Sequence, residues 1–509
     1  MLNLALLKMQ LENYSNEEIL RDLINEDQKS DIKKKMQEGT DYYNNEPDIL
    51  DTDFRLYHVD GVPYTDYSKS NRYITNNFHK LLVDQKASYI VGNAVVLEVI
   101  NKKLADNEED DSLDRVNDLL GEQFEDILND WVIGTSNKGM EAVFVYVDEK
   151  GQFQYEIVPS EEIIPIYATR HQRKLEQVIR YYEVQVYRKD SKTPDTKIAA
   201  EWWTANDVTY YIQNDENNFV LDVNYDPNPA PHFSRYNTTN TNARMGASWG
   251  QVPFIILENN SKKTTDLEPI KRYIDAYDAV SSGFLHDLED IQTAIWVLKG
   301  YEGTDLSEFM QNLKKFKAIK VNAEEHAGAE SDRLEIPVEA RKVLLDLLDN
   351  KIYSIGQGVD LNKLVANTSG VALKILFTGL DMKANTLIRK LKNSLESLLW
   401  FSCEYLRLAD KTAYDYLDYG FVINKSVIYN IQEQCQNIVM MSPFMSLETA
   451  VANNPFVGDA KAEIEQMEKE KEKAVDQYGG SVGRERPEED EEGEDNEEDS
   501  DAESEDKEK

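Results

Sequence analysis

Between residues 266 and 408 the apolar positions recur at steps of three and four, the period of a helix. A first stripe runs through Ile270, Ile274, Tyr277, Val280, Phe284, Leu288, Ile291 and Ile295. Asp266 is placed to cap it, with Glu268 and Pro269 in the first turn. A second stripe runs through Leu344, Leu345, Leu348, Ile352 and Ile355, with Pro337 at its opening position and Gly356 at its end. A third runs through Leu373, Leu376, Leu380, Leu387, Leu391, Leu395, Leu398, Ser402 and Tyr405. It keeps the period for about 39 residues, roughly 58 Å at ~1.5 Å per residue. A compact domain of this size is not so wide. Such helices must pack on something else, and neighbouring copies are the natural candidate. A polar loop, 357–369, joins the second helix to the third. An insert, 297–336, separates the first two and predicts a short helix from Asp305 to Lys314, with strands near Ala318–Val321 and Arg333–Ile336.

Ahead of this core, Ser15 and Glu18 have the spacing of a capping box. A short helix marked by Ile19, Leu20, Leu23 and Ile24 follows, then a second helical segment from Ser30 to Glu38. Helices are expected over Asn71–Tyr89, ended by Gly92, and over Leu113–Trp131, with a polar loop at 101–112 between them. The pattern then switches to period two. Ala142–Val147 and Gln152–Val158 flank the turn 148–151 and predict a hairpin. Further strands are expected at Val178–Tyr187, Ile198–Trp203, Val208–Ile212 and over 252–260, and the polar stretch 224–250 reads as a long surface loop. Beyond 408 the pattern gives a strand at Phe421–Ile423 and helices at Ser426–Met441, Leu447–Asn453 and Asp459–Gln477. The fold class is α+β, mainly helical.

The 509 residues carry a formal net charge of −39. Residues 484–509 hold 16 Asp/Glu and 4 Lys/Arg, so most of that charge lies on the body before them. An evenly acidic body argues against a surface that grips nucleic acid through its phosphates, though not against DNA passing by ungripped. Residues 479–509 are almost free of apolar side chains and are expected to be disordered. The two cysteines, Cys403 and Cys435, make no disulfide framework or zinc spacing, which suits a reducing compartment. The N-terminus is too soon interrupted by Lys8 and Glu12 for a signal peptide, and no apolar run is long enough to span a membrane.

No catalytic centre, metal set or cofactor motif is predicted. Gly134 to Gly139 has half the spacing of a phosphate loop, but Met140 stands where the lysine is needed, so a turn before a strand is the better reading. His58, His79, His171, His232, His286 and His326 are scattered, and Asp287, Glu289 and Asp290 flank the apolar stripe of a helix. One basic cluster stands out, Lys314, Lys315, Lys317 and Lys320. It reads equally as a solvated helix end or as a contact with a partner or with phosphates. Lys262 and Lys263, before the first long helix, carry the same two readings.

Several short stretches, in order, give the chain a family resemblance. They are Tyr42 and Tyr43 with Asp48 to Leu50; Asn71 to Gly92, including Val83 to Lys86; Val158 to Pro165; and Val252 and Pro253 with Asn259 and Asn260. Ser369 to Lys374, Thr378 to Asp381, Ser446 to Thr449 and Phe456 to Asp459 complete the set. Together they cover about 40 to 475. The chain resembles the portal proteins of tailed double-stranded DNA bacteriophages, especially those of long-tailed phages of Gram-positive hosts.

That resemblance implies a ring, usually of twelve subunits, with a central channel. It implies an N-terminal helical arm (1–40), a mixed α/β wing (41–260), a first stem helix (261–296), a clip (297–336) and a second stem helix (337–356). A tunnel loop (357–370), a long wing helix and return (371–425), a helical crown (426–478) and the acidic tail (479–509) follow. The implied channel residues are Gln357, Asp360, Asn362, Lys363, Asn367, Thr368 and Ser369. Lys314, Lys315, Lys317 and Lys320 would face partners or DNA at the clip, with Lys262, Lys263, Lys271 and Arg272 on the stem. The implied partners are further copies of the chain, double-stranded DNA, the terminase large subunit, a head-completion or adaptor protein, and the major capsid and scaffolding proteins, with no membrane. The implied location is the capsid portal vertex of the virion, after assembly in the host cytoplasm. The competing reading is a helical scaffold or adaptor without a channel, whose long helices pair within one chain.

Overall fold

The computed structural model describes residues 14–59, 61–67, 69–101, 111–169, 174–187, 194–236, 244–291, 296–298, 318–319, 329–331, 338–363, 370–410, 414–426, 431–454, 456–457 and 460–478. They belong to two units, the first ending at Ile428 and the second beginning at Tyr429.

The first unit opens with α1 (Asn16–Gln28) and α2 (Asp31–Tyr43). The predicted capping box is present: Ser15 Oγ accepts the Glu18 N–H at 3.2 Å, and the Glu18 carboxylate accepts the Ser15 N–H at 3.1 Å. Ser30 caps α2, which continues past the predicted Glu38. A hairpin of β1 (Leu56–Val59) and β2 (Val62–Thr65) precedes α3 (Phe78–Val91) and β3 (Val96–Val99). The helix predicted over 113–131 is two helices, α4 (Ser112–Leu120) and α5 (Phe124–Lys138). Gly121, at φ 72°, takes the left-handed region that a continuous helix forbids.

Nine strands follow: β4 (Met140–Val147), β5 (Phe153–Val158), β6 (Ile163–Tyr167), β7 (Leu175–Val186), β8 (Asp195–Trp203), β9 (Asp207–Gln213), β10 (Phe219–Leu221), β11 (Ala230–Pro231) and β12 (Phe233–Tyr236). After them come β13 (Arg244–Ala247) and β14 (Phe254–Glu258). The stretch 224–250 is therefore more than a surface loop. β12 pairs antiparallel with β13, and Trp249 is buried against Phe153, Phe233 and Phe401. Strands β10-β9-β8-β7-β6 form one antiparallel sheet, with β11 on β9. The apolar face of α1 covers it, with Leu20 and Ile24 against Ile166, Ile179 and Trp202. A second sheet has the order β14-β4-β5.

Next come α6 (Lys271–Ile291), the short strands β15 (Trp296–Leu298), β16 (Ala318–Ile319) and β17 (Ala329–Ser331), α7 (Val338–Gly356) and α8 (Gly370–Asp410). Strand β18 (Tyr419–Val422) returns to pair with β3. At about 1.5 Å per residue the 41 residues of α8 span about 61 Å. The stripe Leu380, Ala384, Leu387, Leu391, Leu395 and Leu398 is buried in one core with α3, α4, α5, β4 and β5. Earlier on the helix Ile375 is exposed, as is Met382 on its outer face. Cys403 lies in that core, where burial pushes its thiol up to about 12, so it packs as an inert apolar group.

The second unit holds α9 (Ile431–Met441), α10 (Leu447–Ala452) and α11 (Ala460–Tyr478). Ser446 caps α10, its Oγ accepting the Thr449 N–H at 3.2 Å. Several sequence expectations lie outside the described residues: the helix 305–314, the strand 333–336, Lys314, Lys315, Lys317, Lys320, Pro337, Asn367, Thr368, Ser369 and the segment 479–509.

Candidate functional site

The pair α6 and α7 leaves the body and returns to it. What holds both of its ends is a buried polar cluster that sequence patterning did not reveal. Asp266 does not cap α6; Thr265 caps the turn that leads into it. Its Oγ1 accepts the Glu268 N–H at 3.2 Å, the Glu268 carboxylate accepts the Thr265 N–H at 3.3 Å, and a turn leads into the helix at Lys271. Asp266 points inward and is 7 % exposed. Lys86 of α3 lies 3.0 Å and Lys383 of α8 lies 3.1 Å from its Oδ2, and Asn259 Nδ2 donates to its Oδ1 at 2.9 Å. Asn259 also accepts from Lys86 at 2.6 Å, so one amide bridges the cation and the anion.

Burial alone would raise the Asp266 carboxyl. Lys383, Lys86 and Asn259 outweigh it and hold the group well below the usual carboxylate range. Burial likewise pulls Lys86 down to about 8 against the pull of Asp266, which leaves the ammonium charged at neutral pH. His79 is buried beside the cluster, and burial pushes it down to about 4, so its ring is neutral. The backbone here is drawn close: a Cβ on Gly139, at φ 82°, would lie 2.2 Å from the Lys263 carbonyl. The signal that could have found this site is Lys86 itself, a lysine on the buried face of a helix between Leu82, Val83 and Ile90.

The far end of the pair meets the same helix. Gly356 ends α7, and Gln357, not the glycine, takes the left-handed turn at φ 56°. Gly356 is small for another reason: a Cβ would meet Leu82 at 2.7 Å. Lys383 Nζ donates to the Gly356 carbonyl at 3.0 Å while paired to Asp266. The next residues are clamped by Gln85, which donates to the Val359 carbonyl at 2.7 Å and accepts the Val359 N–H at 2.9 Å. Adjacent residues of α3, Gln85 and Lys86, thus hold the exit and the entry of the excursion.

Residues 71–77, expected as the first turns of a helix, run extended along α6. His286 Nε2 meets the Arg72 backbone, 3.1 Å from its N and 2.7 Å from its O. Ile74 N donates to Ser282 Oγ at 2.9 Å and Asn76 N to Asp278 Oδ1 at 3.0 Å. Two extended residues advance about 6.6 Å and four helical residues about 6.0 Å, so the chain keeps register with one row of the helix. Asn77 then caps α3.

Between α6 and α7 the inner face closes over Leu267, Ile270, Ile274 and Ile352, together with Tyr42 and Leu82. The predicted stripe of α7 divides: Leu348 and Ile352 are buried, but Leu344 is 42 % exposed, beside Val343 at 64 % and Leu347 at 52 %. Asp287 pairs with Arg341 across the two helices, and Glu289 pairs with Arg72 at 2.9 Å.

Of the sequence-predicted residues, Asp360 is buried and accepts the Asn362 N–H at 3.0 Å, which removes it from any exposed loop surface. Gln357 is half-buried, Asn362 is exposed, and Lys363 ends a single turn, Leu361–Lys363. Lys262 and Arg272 are exposed. Lys263 is taken up by Tyr167 at 2.8 Å and Glu258 at 3.5 Å, and Lys271 by Asp48 and Asp275.

The comparisons with known proteins agree in kind. Residues 23–477 match the family described as phage portal protein, SPP1 Gp6-like. The chain is 33 % identical to the portal protein of Bacillus phage SPP1 over 458 residues, covering 89 % of this chain and 86 % of that one. It is also 33 % identical to the portal protein of Clostridium phage phiCD119 over 393 residues, 74 % of this chain and 80 % of that one. With a match running from inside α1 to the last turn of α11, the chain belongs to the SPP1-type family of phage portal proteins.

Proposed function

We propose that copies of this chain form a ring, of twelve in the capsid, at one capsid vertex. Its channel would carry double-stranded DNA inward during packaging and outward at ejection. On this reading α6 and α7 are the stem, the insert 297–336 is the clip, and 357–370 is the tunnel loop. Residues 41–260 with α8 form the wing, and the second unit forms the crown. The observation that carries the reading is the apolar row Val343, Leu344 and Leu347 on α7, exposed in the single chain although the helix pair already buries its inner face. A head-to-tail contact between identical subunits would cover such a row and close into a ring. The acidic body supports it too, because a net-negative wall avoids the phosphate affinity that rings of Lys and Arg would create and lets DNA slide.

Terminase, head-completion, capsid and scaffolding proteins would dock on the ring, which would reside in the virion after cytoplasmic assembly. Among the described residues no helix is long and apolar enough to cross a membrane, and the proposal gives the chain no membrane partner, catalytic step or cofactor. Negative-stain images of the purified full-length chain test the assembly: closed rings are expected, and a monodisperse monomer under every assembly condition would contradict it.

A further inference from the structure

Lys383 makes two contacts that belong to different ends of the excursion. Its Nζ lies 3.1 Å from Asp266, which precedes α6, and 3.0 Å from the carbonyl of Gly356, which ends α7. The ammonium sits where the last carbonyls of α7 concentrate negative partial charge, and it is 13 % exposed. Asp266 does not depend on it alone, since Lys86 and Asn259 also reach the carboxylate. Among the described residues of the cluster, Lys383 is thus the one group that touches both the start of α6 and the base of the segment 357–363.

We propose that Lys383 is a positioning residue that couples the tilt of α6 to the placement of residues 357–363. A shift of α6 against α3 carries Asp266 with it. Through Lys383 that shift pulls on the Gly356 carbonyl, and Gly358 and Val359 follow. Resting on the channel reading above, this makes events at the insert, such as partner docking, legible at the loop without a path through the sheets. The coupling is physical in kind: one cation is shared between the start of α6 and the end of α7, beside the direct packing of Ile270 near Gly356.

The test is hydrogen exchange on the full-length chain. Lys383→Met should speed exchange of the Gly358 and Val359 amides by about tenfold or more, because hydrogen bonds to charged groups hold a segment by that much. Amides of α1 and β7 should not change, and Lys383→Arg should restore protection. Lys390→Met, which removes the pair with Glu258 on the same helix, should leave the Gly358 and Val359 amides as they are. Unchanged exchange at 358–359, an equal rise across the whole unit, or a Lys383→Met chain that does not fold would each overturn the proposal. DNA retention in capsids separates it from the channel reading. Lys383→Met should lower retention as a loop variant such as Lys363→Glu does. A defective loop variant beside a normal Lys383→Met would overturn the coupling alone. If both were normal the channel reading would fall, and with it the coupling's effect on DNA.

Discussion

Gln85 and Val359 exchange a pair of hydrogen bonds, side-chain Nε2 to carbonyl at 2.7 Å and backbone N to Oε1 at 2.9 Å. One amide side chain thereby does for a single residue what a neighbouring strand would do. Gln85→Leu would leave a buried N–H and C=O without partners. We expect about 1–3 kcal/mol of lost stability, read from the urea midpoint at unchanged m-value. Gln85→Glu should fall in the same range, because its carboxylate accepts from Val359 N but donates nothing to Val359 O.

Gly358 presses the same segment against Leu82, where an added Cβ would lie 2.0 Å from Cδ2. Leu82 is buried and cannot swing aside freely. Gly358→Ala should therefore destabilise by about 1–3 kcal/mol. Leu82→Ala in the same chain should recover part of that loss, so that the double variant is more stable than the sum of the singles. Strictly additive losses in thermal or urea unfolding would show that the clash is relieved elsewhere.

Asp278 lies beneath the strap 71–77, 1 % exposed. Its Oδ1 accepts two bonds from Asn76, and among the described residues no donor reaches its Oδ2. Burial pushes the carboxyl up to about 6, against those two bonds, and Asp275 adds to the rise. An acid whose folded value is raised holds its proton more tightly folded than unfolded. Stability from this group is present below its ordinary value of about 4 and is lost as pH rises through about 6. Asp278→Asn removes the titration and keeps the acceptor. The variant should match the parent near pH 4 and exceed it by about 1–3 kcal/mol above pH 7. Parallel stability–pH curves for the two chains would contradict this.

Deleting 484–509 should leave folding and ring formation intact, since the segment carries too little apolar surface to offset the entropy of ordering it. Gel filtration and images of the truncated chain decide it, and loss of rings would count against the claim.

Much of the fold was legible because burial follows period. The stripe of α8 is read from its steps of three and four, and the hairpin of β4 and β5 from alternation. The failures have particular causes. Ile74 and Phe78 stand at helical spacing with Leu81 and Leu82, yet Ile74 and Leu81 are exposed. What holds 71–77 extended is a row of polar groups about 200 residues away in sequence, Asp278, Ser282 and His286. Gly121 divides a helix whose apolar spacing runs straight through it. At the site, Asp266 has the composition and place of a cap, and nothing local says that Lys86, 180 residues earlier, needs its charge. The segment after α7 reads as a free polar loop, but Val359 and Asp360 are buried, because Gln85 reaches across from a helix far off in the chain.

The channel role of the segment after α7 is the centre of the account, and DNA content tests it most directly. Lys363→Glu replaces a cation by a carboxylate at a position repeated around the proposed ring, concentrating like charge at the constriction. Procapsids should still assemble, since position 363 follows the segment that Gln85 clamps at Val359. DNA-filled capsids should become fewer relative to empty ones, most at low salt, where screening is least. Normal filling and retention in intact Lys363→Glu procapsids would contradict the channel role.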